Sequence, residues 1–94
     1  MEIRKIGVVG AGTMGSGIAQ VAAQSGFDVV LVEISANALA KGLATIDKSL
    51  ERLVAKGKLS AEERSAARAK LTSGGELEAL AGCDLVVEAV VEKF

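Results

Sequence analysis

The chain has 94 residues, half of them hydrophobic, with 11 basic against 12 acidic side chains and a net charge of −1. That length makes one small domain, and a charge balance so close to neutral argues against nucleic acid or an anionic membrane surface as a partner. A single cysteine, Cys83, excludes an intrachain disulfide and fits a reducing, cytoplasmic setting.

Aromatic residues are confined to Phe27 and Phe94, so a core must come from Val, Ile, Leu and Ala. No apolar run approaches the ~18 residues of a membrane span. The opening MEIRKIGVV enters strand-like sequence without a leader's cleavage site. The expectation is a soluble cytoplasmic protein. There is no proline and no histidine, and histidine is the commonest general acid–base of enzymes.

Ile3 to Val9 is a short apolar run that suits a strand buried on both faces of a parallel sheet. From Thr13 to Ser25 the apolar residues Met14, Ile18, Val21 and Ala22 recur at helical spacing, which predicts one buried face. Gly26 stands where a C-terminal cap belongs. Val29 to Val32 is a second strand, completing a βαβ unit. Ser35 caps the next helix, Ala36 to Lys56, which would be about 30 Å long. Its apolar stripe is Leu39, Leu43, Ile46, Leu50 and Leu53. Gly57 ends it. Ser60 and Glu63 then form an S-x-x-E capping box for a helix reaching about Lys70. Leu71 to Ser73 is a short third strand, Glu76 to Ala81 one or two helical turns, and LVVEAV from Leu85 a fourth strand.

Between the first strand and the first helix lies Gly10-Ala11-Gly12-Thr13-Met14-Gly15, a G-x-G-x-x-G in the context a dinucleotide site requires. Gly10 permits the tight turn, Gly12 lets backbone approach a pyrophosphate, and Gly15 lets helix and strand pack closely. The helix N-terminus offers free N–H donors to the phosphates. Gly17 is assigned to close packing of the first helix. Glu33 ends the second strand about 20 residues after the loop, where a carboxylate accepts hydrogen bonds from the adenine ribose. Ile34 to Asn37 hold no arginine to meet a 2′-phosphate, which favours NAD over NADP. Plainer readings stand beside these: a glycine-rich turn that merely packs a helix, and a solvated carboxylate at Glu33. Methyltransferases that use S-adenosylmethionine also end their second strand in an acid. The third glycine, on a helical pattern, favours the dinucleotide.

IGVVGAGTMGSGIAQVAAQSGFDVVLVEIS, the long helical hairpin after it and CDLVVEAVVE together resemble the N-terminal domain of the L-3-hydroxyacyl-CoA dehydrogenase family, above all its bacterial 3-hydroxybutyryl-CoA enzymes. The likeness runs over the whole chain. It implies that Gly10 to Gly15 bind the NAD pyrophosphate and Glu33 the adenine ribose. The family usually has Asp there, and the longer side chain should still reach. Ala89 and Val90 would line the cofactor cleft, and Glu92 would approach the nicotinamide-side ribose. Ser49 and Lys56, with Arg52 between them, match positions that contact the coenzyme A part of the substrate. A solvated helix face is the plain alternative for that stripe. The family's catalytic His–Glu pair, a later serine and asparagine, and the helical domain that mediates homodimerisation have no counterpart here. No catalytic residue and no metal ligand is therefore assigned.

The fold expected is α/β: a partial Rossmann fold with a mostly parallel sheet in the order 3-2-1-4 and an inserted helical hairpin, all of residues 1–94 being one NAD-binding domain. The end at VVEKF, directly after a strand, suggests a part of something longer. The full enzyme would interconvert (S)-3-hydroxyacyl-CoA and 3-oxoacyl-CoA, while this chain alone would be inactive. A stand-alone NAD-binding module is one alternative. A dehydrogenase of the 3-hydroxyisobutyrate type, with a short connection before the third strand, is another. The fourth strand, Leu85 to Val90, would present an unpaired apolar edge, which predicts self-association.

Overall fold

The computed structural model describes residues 2–89. The chain runs β1 (Lys5–Val9), α1 (Thr13–Gln24), β2 (Asp28–Val32), α2 (Ala36–Ala55), α3 (Ala61–Ala69), β3 (Leu71–Gly74), a 3-10 turn (Leu77–Leu80) and β4 (Leu85–Glu88). The four strands form one parallel sheet in the order β3-β2-β1-β4, as expected. Its register decides where the site lies. Val9 is level with Val32 on one side and with Glu88 on the other, and Val32 is level with Gly74. The residues that follow these strands therefore emerge along one rim. Backbone bonds carry the alignment one step further: Gly10 N–H to the Val32 carbonyl at 2.8 Å, Ala89 N–H to that of Val9 at 2.8 Å, and Glu33 N–H to that of Gly74 at 3.0 Å.

Alternation along the strands divides the sheet's two faces. Ile6, Val8, Val29, Leu31 and Leu71 join Ala19, Ala22, Ala23, Ile46 and Leu50 in the core beneath α1 and α2. Gly7 faces the other way, against Leu80 and Cys83. A Cβ there would stand 2.5 Å from Leu80 Cδ2, so the 3-10 turn sits directly on β1. Asp84 accepts the backbone N–H groups of Arg4 and Lys5 at 2.9 and 3.0 Å, fastening the start of β4 to β1.

Helix α1 departs from expectation. Met14 is 52% and Val21 64% exposed, while the buried face is Gly15, Ser16, Ala19, Ala22 and Ala23. Hydrophobic periodicity marks where bulky apolar side chains lie, but α1 approaches the sheet too closely for bulk, and small residues take the inner face. Gly17 is exposed and a Cβ there would meet nothing within 4 Å, so close packing does not account for it.

The hairpin of α2 and α3 follows its capping signals. Ser35 Oγ accepts from Ala38 N–H at 3.2 Å. Ile46 and Leu50 are buried, with Leu39, Leu43 and Leu53 half-buried along the same stripe. Lys56 forms the C-cap rather than a helical residue. At α3 the capping box closes in both directions, Glu63 N–H to Ser60 Oγ at 3.0 Å and Ser60 N–H to Glu63 Oε1 at 2.9 Å. Arg68 reaches Asp47 at 2.8 Å between the two helices; both side chains are over a third exposed, so the pair contributes little. The fourth strand is shorter than expected, ending at Glu88. Among the described residues β4 pairs only with β1, leaving its outer edge without a partner strand.

Candidate functional site

The rim of the sheet opens into a cleft of about 400 Å³ whose walls include Gly10, Gly12, Glu33 and Ala89. Three separate strand ends supply these residues. Gly10 leaves β1 with φ at 105°, a left-handed conformation that disfavours any side chain. Ala89 follows β4 and is buried. At Gly15 a Cβ would overlap the Gly10 carbonyl, which shows why the third glycine is needed where α1 crosses the end of β1. At Gly12 a Cβ would meet nothing within 4 Å, so a side chain there would project into open space.

Helix α1 begins at Gly12 with no side-chain cap and no acidic residue in its first turn. The first turn of any α-helix leaves its N–H groups without intrahelical acceptors. An anion at this terminus would meet those donors and the positive end of the helix dipole. Thr13 and Met14 are exposed on this first turn, while Ala11 is buried beneath the loop.

Both carboxylate oxygens of Glu33 are held by backbone N–H groups. Its Oε1 accepts from Ala11 N–H and its Oε2 from Ser35 N–H, both at 3.0 Å. These bonds, that from Ala11 foremost, hold its carboxyl below its ordinary value against the opposing effect of desolvation. The group is thus a carboxylate at neutral pH, each oxygen keeping acceptor capacity for a sugar hydroxyl.

The coenzyme-contact residues expected from the sequence are placed apart. Ser49 lines a groove between α1 and α2, together with Gln20, Thr45, Lys48 and Arg52. Its Oγ accepts from Gln20 Nε2 at 2.9 Å. Lys56, at the end of α2, is exposed and does not line this groove. A second hollow, beside the glycine loop and α2, shares Thr13, Ser16 and Thr45 with this groove. Val90 and Glu92 lie outside the described residues.

Sequence reasoning missed the apolar lips of the cleft. Ile34, 86% exposed, and Leu77, 60% exposed, line it with Ala38. The available signal was a large aliphatic residue placed directly after the strand-end acid, on a loop with no core to enter. Among the described residues, no helix is long and apolar enough to cross a membrane.

The family profile described as "3-hydroxyacyl-CoA dehydrogenase, NAD binding domain" matches residues 5–94. The chain belongs to the 3-hydroxyacyl-CoA dehydrogenase family. A 3-hydroxybutyryl-CoA dehydrogenase of Bradyrhizobium diazoefficiens is 50% identical over 91 residues, covering 97% of this chain and 31% of the relative. The 3-hydroxyadipyl-CoA dehydrogenase of Escherichia coli K12 is 41% identical over 94 residues, 100% of this chain and 20% of the relative. In structure, the chain is similar to the (S)-3-hydroxybutyryl-CoA dehydrogenase of Ralstonia eutropha, with a TM-score of 0.93 and 44% identity over 99% of this chain and 33% of that one. The chain thus spans a third or less of these 3-hydroxyacyl-CoA dehydrogenases. As an NAD-binding domain of the family it takes NAD as its cofactor. The open terminus of α1, the room above Gly12 and the Glu33 carboxylate fit that dinucleotide.

Proposed function

We propose that this chain is the NAD-binding part of an enzyme that interconverts (S)-3-hydroxyacyl-CoA and 3-oxoacyl-CoA, with 3-hydroxybutyryl-CoA as its substrate. The observation that carries this reading is the meeting of Gly10, Gly12, Glu33 and Ala89 in one cleft, at the uncapped end of α1. In it the loop from Gly10 to Gly15 binds the pyrophosphate. The Glu33 carboxylate accepts the adenine-ribose hydroxyls, and its charge repels a 2′-phosphate. Ile34 and Leu77 offer apolar walls for the adenine ring. Ala89 and Val90 border the path toward the nicotinamide, and Glu92 meets its ribose. Bound NAD supplies the hydride acceptor; this chain contributes binding and orientation.

The acyl-CoA reading rests on the groove beside α2. Ser49 offers a hydroxyl there, and Lys48 and Arg52 offer charge to the coenzyme's phosphates. Lys56 serves the outer end of the same ligand from the tip of α2. The chain has no histidine, and neither Glu88 nor Glu92 replaces the family's His–Glu pair as proton carrier. The two-helix hairpin between β2 and β3 speaks against the 3-hydroxyisobutyrate type, for which a short connection is expected there. The open edge of β4 and the exposed Leu85 and Val86 beside it support self-association of the isolated chain; the longer enzyme would be a cytoplasmic homodimer.

The test is direct. NAD added to the 94-residue chain should perturb the amide resonances of residues 10–15 and 33, and Gly12→Val should weaken that binding by about tenfold or more. Acetoacetyl-CoA with NADH should show no turnover above background. Turnover that disappears in Gly12→Val would overturn the claim that this part is inactive alone.

A further inference from the structure

Ala11 stands between the first two glycines of the loop and is held on three sides. Its N–H donates to Glu33 Oε1 at 3.0 Å. Its carbonyl accepts from Ser16 Oγ at 2.9 Å, and Ser16, at 2% exposure, is the buried polar residue of the described core. The third side is the backbone of α2 at Gly42. A Cβ at Gly42 would lie 2.7 Å from the Ala11 carbonyl oxygen, 2.8 Å from Ser16 Oγ and 3.0 Å from Ala11 Cβ. Real Cβ atoms essentially never come closer than 3.0 Å to such neighbours, so while α2 keeps its place residue 42 has room for hydrogen alone. A glycine inside a helix is unfavourable by about 1 kcal/mol relative to alanine. Gly42 sits well within α2 and its φ is not positive. The close approach of Ala11 and Ser16 accounts for it.

The consequence follows from peptide geometry. The Ala11 carbonyl and the Gly12 N–H belong to one planar trans unit, so they point in opposite directions. Ser16 holds the carbonyl on the buried side, toward Gly42. The Gly12 N–H is thereby turned to the opposite side. Glu33 fixes the preceding peptide through the Ala11 N–H. We propose that Ser16 and Gly42 are positioning residues for the pyrophosphate loop, setting the direction of the Gly12 N–H without touching the dinucleotide. They are separate from the fingerprint glycines, and Gly42 acts from a different helix. This inference rests on the reading of the cleft as the NAD site.

Ser16→Ala and Gly42→Ala test it in the 94-residue chain, with Ile46→Val, a core change on the same helix, as control. NAD and adenosine are each titrated by amide NMR, since adenosine reaches the ribose position without a pyrophosphate. Hydrogen exchange of the Ala11 amide, relative to Val8 in β1, is followed without ligand. Ser16→Ala should weaken NAD about three- to tenfold, in keeping with one lost buried hydrogen bond, and Gly42→Ala by tenfold or more (about 1.4 kcal/mol). Adenosine affinity should change less than about twofold, and Ala11 exchange should accelerate in both variants. Ile46→Val should leave the NAD-to-adenosine ratio and the exchange ratio alone. If Gly42→Ala does not fold, Ser16→Ala decides. Equal losses for NAD and adenosine, or no loss in either, would overturn the proposal. A wild-type chain that binds no NAD refutes the reading of the cleft; the loop's dependence on Ser16 and Gly42 is then judged on Ala11 exchange, and unchanged exchange overturns it.

Discussion

At the start of α3, Ser60 and Glu63 satisfy each other's backbone N–H groups; at the start of α1, Gly12 offers its first turn no side-chain acceptor. Both helices begin with extended backbone at the N-cap, so geometry alone does not separate them. The difference is chemical. Helix α3 also carries Glu62 and Glu63 against its positive end, whereas the first turn of α1 has no acid. Glycine is a tolerated N-cap, but it brings no side-chain oxygen to the first turn. A helix start left open beside a cleft, while α2 and α3 carry serine caps, leaves N–H donors for an anion, in keeping with the proposed pyrophosphate site.

The comparison can be broken most forcefully at Gly15. Gly15→Ala forces a methyl group onto the Gly10 carbonyl and should destabilise the chain by about 3 kcal/mol, seen in chemical denaturation, with NAD binding lost. Closing the comparison from the other end is milder. Ser60→Ala removes the α3 box and should cost about 1 kcal/mol, leaving NAD titrations unchanged. Gly12→Asp would give α1 the cap that it lacks. Stability should rise by a few tenths of a kcal/mol, while calorimetry should find NAD affinity lost if the proposed pyrophosphate site is right, because the new carboxylate would repel it.

Acid pH sharpens the contrast further. The Glu33 carboxyl is held below its ordinary value of 4.5 by Ala11 and Ser35 N–H groups, and that of Glu63 by Ser60. A depressed folded value means stability that is present above the unfolded value and is lost as pH falls through the folded one. Thermal melts of wild type and Glu33→Gln should therefore differ by a constant amount above about pH 5 and converge below it. A gap that widens toward acid would contradict the bonding seen at Glu33.

Signals that are local in the chain were legible before the structure. Ser60 and Glu63, three residues apart, name their own helix start. The glycine hexamer and Glu33 each mark the end of a strand, and a parallel sheet brings such ends together. What stayed hidden depends on partners distant in sequence. The inner face of α1 is built from Gly15, Ala19 and Ala23, because proximity to the sheet outweighs hydrophobicity, and Met14 and Val21 gave a misleading stripe. Gly42 reads as a mild defect in α2 until Ala11 and Ser16 are seen against it. Gln20 gives no sign of reaching Ser49, 29 positions away.

The strand order also sets a schedule. β1 is made first but lies inside the sheet, and its second neighbour, β4, is the last strand described. During synthesis at about 5–20 residues per second, roughly 4–15 s separate Val9 from Leu85. Through that interval β2 is the one described strand neighbour available to β1. The βαβ unit bearing the glycine loop is thus synthesised whole while one edge of β1 still lacks β4, its second neighbour in the sheet.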